Sequence, residues 1–337
     1  MKKIVSIKDI ARMAGVAPST VSAVINGKTR QARISLAKVE MVKQVILQTG
    51  YLPNQAAVSL RTGKTRVIGL IVEDISNSFF AALAKQVEAK VYAQGYKIVY
   101  CSTDNREEQG REMIRILSRQ VDGFIITPTA GMEEDIRQLI AHGKPVVLID
   151  RYLPGLNVAA SLVDNEAGVR DGMRHLLDKG YKRIAFVTVT HELVQMQLRE
   201  QGYITEMVTA GITPCILKIP YVAGQADVIE HITGFLQSEK PDAIFFSTNY
   251  VGLAGLEAIR RCGMTIPGDI AVICFDDNET FRLFTPGITA LEQPIQAIAH
   301  EAIQMLMDNF QGSGEGQDMP GTGLRMFAPK LLLRSST

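Results

Sequence analysis

Two hydrophobic periodicities divide the chain. Over the first fifty residues apolar side chains recur at helical spacing: Ile7, Ile10, Ala11 and Ala14 make one stripe, Val21, Val24 and Ile25 a second, and Val39, Val42, Val45 and Ile46 a third. They predict three short helices closing on a shared core. Gly15 ends the first, Pro18 suits the start of the second, Asn26-Gly27 stops it, and the third runs over about 36–49. From residue 66 the pattern changes. Apolar runs at 67–72, 97–101, 124–127, 146–150, 184–189, 243–247 and 271–275 alternate with amphipathic stretches such as 80–94, 106–119 and 166–179. This βα alternation predicts parallel sheets with helices on both faces, and the number of units predicts two doubly wound subdomains.

Charge separates the same two regions. Residues 1–64 carry eleven Lys/Arg against Asp9 and Glu40, leaving 25 basic and 33 acidic groups to the other 273 residues, although the whole chain nets only +1. A basic head on an acidic body points to a polyanionic partner for the head alone. Two short helices joined by a Gly-containing turn make a helix-turn-helix, whose second helix enters the DNA major groove. That helix offers Ser19, Thr20, Ser22 and Asn26, groups suited to phosphates and base edges.

The words "IKDIARMAGVAPSTVSAVING", "GYLPNQAAVSLRTGKTRVIGLIVEDISNSFF", "VDGFIITP", "IPGDIAVICFDD" and the C-terminal "APKLLLRSS" resemble, in the same order and over essentially the whole chain, the lactose-repressor (LacI/GalR) family of bacterial regulators. The resemblance implies a helix-turn-helix domain at 1–50, a hinge helix and linker at 51–65, and an effector-binding and dimerising core at 66–337. That core resembles periplasmic binding proteins, with one subdomain at about 66–162 and 294–322 and the other at about 163–290 and 324–337. It also implies a hinge helix that forms on DNA and drives Leu60 into the minor groove at the operator centre, an apolar wedge that bends the duplex. Isolated, a helix of about eight residues is marginal in water, which makes this segment a natural switch.

The residues expected at DNA are Ser6, Lys8, Ala17, Pro18, Ser19, Thr20, Ser22, Ala23, Asn26, Ser35, Asn54 and Leu60. Ala23 stands where the family usually carries Arg, the best bidentate reader of guanine. The base-facing set Ala17, Pro18, Ser19 and Ala23 is therefore small and mostly apolar, suited to thymine methyls, and the family's usual operator is not transferable. The basic loop at 28–33 either adds phosphate contacts or is a solvated loop.

Ligands of doubly wound sheets bind beyond the carboxyl ends of the strands, where this chain has Glu73-Asp74-Ile75-Ser76-Asn77-Ser78-Phe79-Phe80, Asp150-Arg151, Thr248-Asn249-Tyr250 and Asp276-Asp277. Amides and carboxylates among a few rings suit a neutral polyol or sugar, and a purine stays open. The resemblance maps effector contacts onto Ser76, Phe79, Asp150, Arg199, Asn249, Asp276 and Gln293, with Tyr221 as an aromatic position. Ser76 and Asn77 serve equally well as helix caps, and Tyr250 replaces a common Asp.

The alternatives are an enzyme and a stand-alone sugar-binding protein. No GxSxG, HExxH, GxxxxGK[ST] or helix-opening GxGxxG occurs, and no cofactor or metal is expected. Against a lone binder stand the basic head and a start at Met1-Lys2-Lys3 that Lys8 and Asp9 interrupt before any apolar region forms. Cys101, Cys215, Cys262 and Cys274 have no metal-type spacing and read as buried thiols in a reducing cytoplasm. No run approaches a membrane span of about 20 residues. The expected protein is a cytoplasmic homodimer whose affinity for a pseudo-palindromic operator a small molecule controls, with Gly312–Gly323 a connector and the segment around Leu331–Leu333 returning to the second subdomain.

Overall fold

The computed structural model describes residues 5–53, 55–190, 193–221, 224–311 and 323–337. The chain forms two compact units, Met1–Thr65 and Arg66–Thr337.

In the first unit, α1 (Ile7–Met13), α2 (Pro18–Ile25) and α3 (Leu36–Thr49) bury Ile10, Ala11, Ala14, Val21, Val24, Val42 and Val45 together. Val39 and Ile46 pack at the edge of this core. Ser6 and Asp9 close a capping box at the start of α1, satisfying amides that no helical carbonyl reaches. Gly50 ends α3 in the left-handed region at φ 62°, where a Cβ would be strained. The hinge segment is helical in the structure as α4 (Gln55–Thr62), and the Gly63 amide closes it on Ser59 O at 2.8 Å.

The second unit holds two six-stranded sheets. Along the chain come β1 (Val67–Val72), α5 (Ser78–Ala93), β2 (Lys97–Ser102), α6 (Glu107–Leu117), β3 (Gly123–Ile126), α7 (Glu133–Ala141), β4 (Val146–Ile149) and β5 (Ala160–Val163). The second lobe follows with α8 (Asn165–Asp178), β6 (Ile184–Thr190), α9 (Val194–Thr209), β7 (Cys215–Pro220), α10 (Gln225–Glu239), β8 (Ala243–Phe246), α11 (Asn249–Arg261), β9 (Ala271–Phe275), α12 (Glu279–Leu283) and β10 (Thr289–Glu292). Then α13 (Ile295–Gln311) returns to lobe one, and β11 (Leu324–Phe327) and β12 (Lys330–Leu332) end the chain. The strand orders are β11-β5-β4-β3-β1-β2 and β12-β10-β9-β8-β6-β7. Among the described residues only β12 runs antiparallel, against β10.

The strands are continuous apolar runs because helices cover both faces of each sheet. In lobe one α5 and α13 lie on one face, while α6 and α7 bury Ile114, Leu117, Ile136 and Leu139 on the other. Gly69 in β1 is required by close packing: a Cβ there would stand 2.8 Å from the Phe124 ring. Three connections join the lobes, β5 to α8, β10 to α13 and β11 to β12. The sequence division at 324 therefore needs correction. Residues 324–327 pair with β5 in lobe one, because their half-exposed Leu-Arg-Met-Phe run completes that sheet's edge. A second correction concerns the thiols: Cys274 is buried in β9, but Cys101, Cys215 and Cys262 are only partly covered, two of them lying on the edge strands β2 and β7. No helix among the described residues is long and apolar enough to cross a membrane.

Candidate functional site

The head presents small groups to solvent. Pro18 occupies the first turn of α2, and burial of Val21 and Val24 turns the opposite face outward. Lys8, Ala17, Pro18, Ser19, Asn26 and Ser35 are exposed, while Thr20, Ser22 and Ala23 are half-buried. Some of these groups have internal partners. Ser6 Oγ donates to Asp9 Oδ2 at 2.7 Å. Asn26 Nδ2 donates to Ser22 O at 2.6 Å, and Ser22 Oγ accepts from Arg61 Nη1 at 3.3 Å. Arg61, on α4, thus ties the hinge helix to α2, a link with no signal in local periodicity. Leu60 is 88% exposed, and Lys28, Arg30 and Arg33 extend the basic surface. Asn54 lies outside the described residues.

The body's site lies where the strands of both sheets end. Asp150 follows β4 and Asp276 follows β9, topologically equivalent strands of the two lobes, and both residues have φ 69°. This left-handed turn, which Asp tolerates better than most side chains, sets each carboxylate just past its strand. Asp276 Oδ1 accepts from Gln293 Nε2 at 2.5 Å, and Oδ2 faces Arg199 Nη1 at 3.4 Å. Arg199 is 1% exposed. It donates to Asn165 Oδ1 at 2.8 Å and Ser247 O at 2.6 Å, and its guanidinium stacks 3.6 Å above the Phe275 ring. A buried guanidinium satisfied on this many sides is a fixed donor platform.

Lobe one answers with Asp150, Arg151 and Glu73. Arg151 donates to Asp150 Oδ2 at 3.1 Å, to Asn105 Oδ1 at 2.8 Å and to Glu73. Burial pushes the Asp150 carboxyl above its usual range, against the pull of Arg151 and Arg199. Burial, followed by the neighbouring Glu73 carboxylate, likewise raises the Tyr221 and Tyr250 phenols. Phe79, Asp150, Arg199, Tyr221 and Asp276 line a narrow interlobe cavity of about 30 Å³. Beside it opens a groove of about 850 Å³ that shares Phe79 and Asp276 and is flanked by Gln293, Asn278, Lys90 and His300.

Most sequence-assigned cleft residues converge here, with one correction. Ser76 is exposed, and its hydroxyl donates to Asp74 Oδ2 at 2.7 Å. Asn77 lines the cavity in its place while its Oδ1 caps α5 at the Phe79 amide. The turn begun at Asp74 holds the serine outward. Asn249 is buried and reaches across to Asn77 and Ser78. The site list read from the sequence lacked Glu73, Arg151, Gln195 and Tyr250, which also line the two lobes' facing surfaces. Glu73 and Arg151 carried a signal as residues just past strand ends, and Tyr250 as a departure beside Asn249. Gln195 carried none, because only packing selects which face of α9 turns inward. Among the described residues no group of His, Cys, Asp and Glu is arranged to hold a metal ion.

Comparison with known proteins agrees with this architecture. Residues 6–54 match the model of bacterial regulatory proteins of the lacI family, and residues 173–337 match a periplasmic binding protein-like domain. The chain is 32% identical over 339 residues to the HTH-type transcriptional regulator PtxS of Pseudomonas putida (strain KT2440), covering 99% of this chain and 96% of that one. Among solved structures it is similar in fold to a Lac repressor dimer bound to operator and the anti-inducer ONPF (TM-score 0.85, 21% identity, 99% of each chain). A complex of the transcriptional regulator CelR with cellobiose is similar too (TM-score 0.68, 24% identity, 99% of this chain and 100% of that one).

Proposed function

Since the chain belongs to the lacI family of bacterial regulatory proteins, which are DNA-binding regulators of transcription, we propose that it is a repressor whose operator affinity a sugar or sugar-like metabolite controls from the interlobe cleft. The facing pair Asp150 and Asp276, with Arg199 buried between the strand ends, carries this reading. Carboxylates at two walls accept from hydroxyls, a fixed guanidinium donates to them, and Phe79 with Tyr221 covers C–H surface. The cellobiose bound by CelR and the anti-inducer bound by the Lac repressor are consistent with a small ligand in this fold.

In the proposed division of labour, residues 1–50 read DNA, 51–65 form the hinge, and 66–337 bind effector and dimerise. A homodimer fits a pseudo-palindromic operator, since two-fold protein symmetry reads two-fold DNA. Ser6, Lys8, Ala17, Pro18, Ser19, Thr20, Ser22, Ala23, Asn26, Ser35 and Asn54 form the DNA surface, with Leu60 as the central wedge. Effector binding changes the spacing of the two hinge helices. A coupling of about 1–3 kcal/mol changes operator affinity by roughly 5–150-fold.

The test begins with selection of bound sequences from random duplex DNA by the full-length protein. An enriched palindrome with a flexible central step supports the reading, and sugars are then screened for effects on its affinity. Asp276→Ala is expected to abolish the effector response and preserve operator binding. A response that survives this substitution overturns the cleft assignment.

A further inference from the structure

The side chains lining the cleft bond to one another across the lobes. From lobe two, the Tyr221 hydroxyl donates to Glu73 Oε1 of lobe one at 2.9 Å, and Arg151 holds Glu73 from behind. Along a second line, Asn249 Nδ2 donates to Asn77 Oδ1 at 3.1 Å and to Ser78 Oγ at 3.2 Å. Gln195 Nε2 stands 3.5 Å from Asp150 Oδ2. The cavity left between these bridges, about 30 Å³, has room for about one or two waters. A pocket that encloses a small ligand measures at least about 300 Å³. Gln195 Oε1, on its wall, is buried without a hydrogen bond among the described residues, so the closed arrangement satisfies the bridging groups and leaves another unmatched.

We propose that Glu73 and Asn77 are affinity-setting residues of the cleft, the lobe-one halves of a clasp that Tyr221 and Asn249 close from lobe two. The proposal rests on the reading of the cleft as the effector's seat and adds that the protein's own groups occupy it. A ligand enters by replacing these bridges. The clasp lowers its apparent affinity by the fraction of molecules held shut, and any group that takes Tyr221's place on Glu73 must be a hydrogen-bond donor. The four residues act as a set because each bridge joins the same two rigid lobes: breaking one raises the open population, and breaking both multiplies the two effects.

Hydrogen exchange on the full-length protein, with no small molecule added, tests this directly. The substitutions lie on the lobe-two side, where Thr248 still caps α11 by accepting from the Val251 amide and the Asn77 cap of α5 is untouched. Tyr221→Phe removes one oxygen, and Asn249→Ala removes the amide. Each is expected to speed exchange at 73–80 and 247–252 by about tenfold, the equilibrium factor for losing one such hydrogen bond, and the double variant by about the product. Amides of β3 and β8, in the sheet interiors, are expected to keep their wild-type rates. Wild-type exchange that is already fast at 73–80 overturns the clasp, as does exchange within twofold of wild type in Tyr221→Phe. Tyr221→Phe decides alone if Asn249→Ala melts early. Should exchange respond as expected while no sugar alters operator binding, the clasp stands and the effector reading falls.

Discussion

The head buries Ile10, Val21 and Val42 and leaves Ala17, Ser19 and Leu60 in solvent, whereas the body buries the very groups proposed to meet its ligand. Arg199, Asn249, Asp276 and Gln293 are each less than a tenth exposed, and they hydrogen-bond to one another or across the lobes. A surface that reads DNA needs exposed groups on a rigid support, so recognition and folding fall on different residues. A cleft that encloses a small molecule must desolvate its polar groups, and buried polar groups need partners whether or not a ligand supplies them. In the body, then, the residues of the site are also residues of the fold.

The sharpest way to break this contrast is Arg199→Ala. It strands Asp276 and the Ser247 carbonyl in the interior, and a loss of about 3–5 kcal/mol in urea unfolding of the body is expected. A loss below about 1 kcal/mol would mean that site and fold are as separable here as in the head. Leu60→Gly is the opposite case. Operator affinity should fall by roughly tenfold, the equivalent of about 1.4 kcal/mol, with less loss on non-specific DNA and no change in exchange protection of α1–α3. Equal loss on both kinds of DNA would remove the wedge.

Ser6→Ala sharpens the comparison from within the head, because Ser6 is both a proposed DNA contact and half of a capping box. Here α1 should lose about 1 kcal/mol of local stability, read as faster amide exchange over residues 7–10. Unchanged exchange would show that the cap carries no load. The smallest effect is a slope. Burial raises the Asp150 carboxyl, so the folded body binds its proton more readily than the unfolded chain does. Stability from this group is present at low pH and is lost as pH rises from the ordinary carboxylate range through the raised value. Asp150→Asn should flatten that fall in unfolding titrations, and an unaltered slope would assign it to another carboxylate.

Much of this was legible along the chain. The three head helices follow from apolar spacing and from Gly15, Pro18 and Gly50, all of which act within a turn or two of helix. The central strands β1, β3, β4, β6, β8 and β9 were legible as well, since a strand covered on both faces reads as an unbroken apolar run. The edges were not. Lys218 interrupts β7, and β11 leaves Leu324, Arg325 and Met326 exposed, so neither carries the pattern of a buried strand. Among the assigned cleft residues, Asp150 and Asp276 could be placed just past strand ends, but whether Ser76 or Asn77 faced inward depended on a turn begun at Asp74.

By itself the sequence determined a basic three-helix head, a two-lobed α/β body and the strand ends at which polar residues gather, because helical stripes, apolar runs and local charge excess are set by neighbours along the chain. Only the tertiary structure decided who pairs with whom: Glu73 with Tyr221 across 148 positions, Asn77 with Asn249 across 172, Arg334 with Asp277 across 57. The first two pairings depend on how two sheets wound in the same order are brought face to face by three connections, the third on β12 closing the edge of the second sheet. No local spacing encodes that juxtaposition, since each partner's own neighbourhood is equally satisfied by a helix cap, a strand end or water.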